Sequence, residues 1–167
     1  MLRTWLRAWV LITVVDAIFA TTLPVVAYGQ PLGRVWQGVA SVLIGKAAIG
    51  GGARTILLGL AFHAGVALVW TTVFLALVLL SAPLRHFVAT PAGILAAAAV
   101  YGPLIWIVMS FVVIPSFTHR APTIGPRWWV QLFAHIQFVA LPIAASIGRG
   151  LDPAHRVADA RLVDGAV

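Results

Sequence analysis

The sequence predicts an all-α, polytopic membrane protein: a bundle of four transmembrane helices with a short interfacial or re-entrant helix between spans one and two. Three observations point there. Of the 167 residues, 62% are hydrophobic and only 9% charged, against roughly half and a quarter in soluble domains. Four long intervals carry no charge or a single one. The apolar runs inside them are continuous and lack the alternation of a strand. A soluble fold of this size must cover its surface with polar side chains, and lipid removes that requirement. The length suits one bundle over 1–148, with a polar tail over 149–167 expected to be disordered.

Charges divide the chain. Between Arg7 and Arg34 lie 26 residues with one charge, Asp16. Between Arg54 and Arg85 lie 30 with none, between Arg85 and Arg120 34 with none, and between Arg127 and Arg149 21 with none, histidine being counted as neutral. A membrane helix needs about 20 apolar residues, so spans are expected at about 7–28, 55–81, 91–115 and 128–148. Inside lipid each backbone must satisfy its own hydrogen bonds, which a helix does. Thr90-Pro91 suits a helix start, with Thr as the cap and Pro in the first turn. Trp5, Trp9, Tyr28, Trp128 and Trp129 fall where aromatic residues meet headgroups. Arg3 and Arg7 before an apolar run also resemble a signal peptide with cleavage after Ala27, but the run is long and holds Asp16, so a retained span is expected.

The segment at about 34–49 repeats Val35, Trp36, Val39, Val42, Leu43 and Ala47 at helical spacing, yet is too short to cross a bilayer. It reads as a surface helix, with Gly50-Gly51-Gly52 as the hinge into span two. Pro24, Pro103 and Pro142 each remove a backbone donor and free the carbonyl four residues earlier, which predicts kinks. Ala61 and Gly65, Gly93 and Ala97, and Ala140, Ala144 and Gly148 mark faces where helix backbones can approach closely.

The net charge is +7. The basic residues stand singly in the gaps between apolar runs, a pattern that fits lipid headgroups as partner and not nucleic acid. A homo-oligomer or a partner membrane protein is a further expectation. With no cysteine, disulfides and thiolate metal sites are excluded. There is no His-Glu-x-x-His, Gly-x-Ser-x-Gly or phosphate loop, so no catalytic residue is assigned and a non-enzymatic role is expected.

Asp16 is the most informative residue, because mid-span is the costliest place for a carboxylate. His63 and His135 lie roughly 12 Å deep from the same face, with Ser110 at similar depth and Tyr101 deeper. These five are the intramembrane polar candidates. The two histidines also suggest axial haem ligation as an alternative, while a zinc site would want a third ligand. Otherwise no cofactor or metal is expected.

The chain resembles a group of small bacterial inner-membrane proteins, the YagU-like family. The resemblance rests on Trp36-Gln37-Gly38-Val39-Ala40-Ser41 with Gly45 and Gly51-Gly52, on Gly59 and His63, on Tyr101-Gly102 with Met109 and Pro115, and on Ala134-His135 with Leu141-Pro142-Ile143-Ala144. It covers about residues 10–148, and implies a multi-pass four-helix bundle in the bacterial inner membrane without assigning an activity. The chain departs from the group in its short second loop and basic tail. Six arginines flank the side of the termini and five basic residues the other, so cytoplasmic termini are expected. For function, an accessory or assembly component is the first expectation and a small proton-linked transporter or subunit using Asp16 and the histidines the second.

Overall fold

The computed structural model describes residues 1–151. Four helices are long and apolar enough to cross a membrane. They are α1 (Leu2–Ala27), α3 (Gly52–Leu80), α5 (Pro91–Thr118) and α6 (Pro126–Leu151). The short α2 (Leu32–Ile44) lies between the first two, and α4 (Ala82–Phe87) links α3 to α5. No strand occurs among the described residues. The chain is therefore a multi-pass helical membrane protein.

The spans alternate in direction. A Cβ on Gly150 would meet Thr4, and one on Gly148 would meet the Val88 carbonyl. The start of α1, the α4–α5 connection and the end of α6 thus share one end of the bundle. At the other end, Ser41 and Val42 of α2 and the 118–123 segment line one cavity. The core between them is aliphatic: Ile12, Ile105, Ile143 and Ile147 are fully buried. Val10, Val14 and Ile18 repeat every fourth residue on the outer face of α1 and are exposed, as side chains facing lipid are.

Local chemistry sets the element ends. Thr90 accepts a hydrogen bond on Oγ1 from the Gly93 amide at 3.0 Å, with Pro91 following. His119 ends α5 in the left-handed region at φ 53°. The hinge after α2 uses Gly50 and Gly52 at φ 86° and 64°, which glycine adopts without a Cβ clash. The Gly50 amide donates to Gln37 Oε1 at 3.2 Å and ties the hinge back to α2.

Several expectations change. Span one begins at Leu2, because Arg3 and Arg7 are long enough to reach headgroups from inside the helix. Pro103 sits in regular α-helix. Wide π turns occur at Leu23–Ala27, which contains Pro24, and at Met109–Val113 and His135–Ala140. The last two come just before Pro115 and Pro142. The carbonyls those prolines would crowd belong to Phe111 and Phe138, and both lie in the widened turns. Pro115, expected at the end of its span, is therefore carried inside α5. Ala61 and Gly65 lie on an exposed face, with nothing within 4 Å of a Cβ on Gly65. Ala140 and Ala144 are fully buried, as their spacing suggests. The tail expectation falls outside the described residues from 152 onward, and 149–151 continue α6.

Candidate intramembrane site

Antiparallel packing of α1 on α3 builds the site. Trp5 Nε1 donates to Thr72 Oγ1 at 3.0 Å, and Trp9 Nε1 donates to the Ala64 carbonyl at 2.9 Å. As α1 advances, its partners step back along α3. The next meeting is Asp16 with His63, Oδ2 to Nε2 at 3.7 Å. The side chains are 19% and 13% exposed respectively. This is an ion-pair distance, too long for a direct hydrogen bond, and His63 Nε2 is buried without a hydrogen-bond partner among the described residues. A lone carboxylate in a span is costly, and a polar group from another helix offsets part of that cost.

His63 occupies the inner face of α3, four residues from Gly59 and from Ala67, both buried. A Cβ on Gly59 would overlap the Trp36 carbonyl, so the glycine is what lets α2 cross α3 there. The crossing sets the Trp36 ring edge-on to His63, with centroids 5.3 Å apart at 77°. The surface helix therefore supplies the aromatic wall of the acid–imidazole pair.

His135 opens the π turn of α6. Its Nδ1 lies 2.7 Å from the Gln131 carbonyl. A carbonyl only accepts, so Nδ1–H is the donor in the neutral ring and Nε2 keeps its lone pair. The ring packs on Trp106 of α5 at 4.9 Å. Gly102, one turn before Trp106, makes this possible, since a Cβ there would lie 2.7 Å from the His135 backbone.

Ser110 sits in the π turn of α5, 3% exposed, and lines a cavity of about 420 Å³ between α2, α5 and α6. Tyr101 stands apart. Its hydroxyl donates to the Trp70 carbonyl at 2.7 Å, and its ring packs on Phe74 at 4.9 Å. Of the five residues singled out from sequence, Asp16 and His63 meet, His135 packs on Trp106, Ser110 faces the cavity, and Tyr101 belongs to the core. No group of three or more His, Cys, Asp or Glu that could hold a metal occurs among the described residues.

Sequence reasoning missed Trp36, Trp106 and Trp128 as site residues. A signal existed for two of them: Gly102, Trp106 and Ser110 recur every fourth residue, and Trp128, Gln131 and His135 fall at i, i+3 and i+7. Trp36 becomes visible only through the α2–α3 crossing.

Fold and site together define a class, a multi-pass helical membrane protein with an acid–imidazole pair inside its spans. No family model, curated protein or solved structure matches the chain.

Proposed function

We propose that this chain is a non-enzymatic protein of the bacterial inner membrane, its termini cytoplasmic, acting as a small proton-linked transporter or transporter subunit. The observation that supports this reading is Asp16 facing His63 at 3.7 Å inside two membrane-length helices. A carboxylate and an imidazole at that separation exchange a proton after a small side-chain rotation closes the gap. Histidine is the side chain whose ordinary titration falls in the physiological range. His135, with an accepting Nε2 on α6, is the other histidine of the proposed route. Four helices rarely enclose a route alone, so a homo-oligomer is part of the proposal. The six-to-five distribution of basic residues supports cytoplasmic termini.

Full-length protein in liposomes with an internal pH dye tests this under an imposed potential. Proton entry above that of empty liposomes is expected, with loss in Asp16→Asn and in His63→Gln at unchanged helix content. Flux equal to empty liposomes overturns the proposal.

A second reading, an accessory or assembly component, draws support from the exposed Ala61 and Gly65, since small residues four apart admit close approach of a partner helix. The proton reading calls for no cofactor. Haem held by His63 and His135 is the alternative, and a visible absorption spectrum of the purified protein tests it.

A further inference from the structure

The cavity lined by Ser110 lies on the α2 side of the bundle and is mostly apolar. Three of its polar groups are unpartnered donors. The Ser110 hydroxyl and the indole N–H groups of Trp106 and Trp128 are buried without a hydrogen-bond partner among the described residues. All three residues line the cavity, together with Arg120, Arg127 and Gln131. An indole N–H only donates, and a guanidinium only donates. No acidic side chain lines the cavity among the described residues. Arg127 stacks over the Tyr28 ring at 3.8 Å, which fixes its place, and no carboxylate pairs with it among the described residues.

Depth adds a second constraint. Arg120 and Arg127 lie in and next to the connection between α5 and α6, at the end of the bundle. Ser110 and Trp106 lie eight and twelve residues inside α5 from Thr118, roughly 12 and 18 Å deep at the usual helical rise. Donors and positive charge thus line a passage that is otherwise apolar. Unpaired buried donors are costly unless an acceptor meets them. A hydrated inorganic anion suits the arginines but not the apolar walls. A neutral hydrocarbon suits the walls and leaves every donor unmet.

We infer that this cavity binds an anionic amphiphile, an acyl chain carrying a carboxylate or phosphate. The oxyanion sits among the Ser110, Trp106 and Trp128 donors, Arg120 and Arg127 supply the positive charge that draws it in from the mouth, and the chain lies along the apolar wall. Nothing in this inference depends on the Asp16–His63 pair.

The probes are dodecyl phosphate and dodecanoate, titrated into full-length protein in a nonionic detergent and followed by native mass spectrometry and calorimetry. Saturable binding of one molecule per chain is expected. The double substitution Arg120→Gln with Arg127→Gln weakens it by about tenfold, through the loss of two positive charges at the mouth. Ser110→Ala weakens it severalfold with the thermal transition unchanged. If Ser110→Ala does not fold, the exposed arginine pair still decides the matter. Competition by phosphatidylglycerol vesicles identifies a membrane lipid as the source of the headgroup, and its absence identifies a free acyl anion. Non-saturable uptake, binding indifferent to both sets of substitutions, or equal competition by inorganic phosphate alone overturns the inference.

Discussion

The Asp16 carboxylate meets the His63 imidazole at 3.7 Å from the neighbouring antiparallel helix. It does so at the point where α2 crosses and places Trp36 against the same ring. Three helices thus fix one acid–imidazole contact.

The contact is expected to couple the two residues energetically. A double-mutant cycle with Asp16→Asn and His63→Gln, unfolded in mixed micelles, should give an interaction of roughly 0.6–1.7 kcal/mol, the range for polar pairs between membrane helices. Additive single effects would show that the pair does not communicate.

Gly59→Ala is expected to destabilise by about 1–3 kcal/mol, the range for inserting a methyl into a packed contact, because the new Cβ meets the Trp36 carbonyl. Tryptophan emission should shift as the ring leaves His63. Gly65→Ala, with open space around it, should be neutral or stabilising by up to about 1 kcal/mol through helix propensity. Equal losses at both positions would rule out the crossing as the cause.

Thr90→Ala removes the acceptor of the Gly93 amide. A loss of about 1 kcal/mol is expected, with Thr90→Ser retaining most of the stability. Thermal melting in detergent reads the difference.

Topology follows from the shared ends of the helices. The chain has no cysteine, so single-cysteine labelling has no background. Thr123→Cys and Arg34→Cys should react with an impermeant maleimide from one membrane side, and His86→Cys from the other. Labelling of residues 34 and 86 from the same side would remove a span.

The four spans were legible because charge is the strongest signal a bilayer imposes. The intervals between arginines mark helices whose backbone must bond internally. Their ends were less legible. Arg7 reads as a boundary but lies within α1, and the span expected to end at about 115 runs on past Pro115 through the π turn before it. Asp16 and His63 stood out as polar residues in apolar runs, whereas their meeting depends on the depth at which α1 and α3 pair. Trp36 came to His63 through a helix crossing, and the cavity arose from three segments distant in sequence. Ala61 and Gly65 had the spacing of a packing face but not its location, since spacing defines a stripe and not the direction it points.

The widened turns alter how the spans should be compared with one another. Each holds one residue more than an α turn, which offsets everything downstream by about 100° around the helix axis. A helical wheel drawn through the whole of α6 therefore superimposes two phases, that of Trp128 and Gln131 before the turn and that of Ala144 and Gly148 after it. One helix in this way gives one face to the cavity and another to the interhelical core. Deleting a single residue within 135–140 would bring the two phases into step and rotate Trp128 and Gln131 away from the cavity while Ala144 and Gly148 stayed in place.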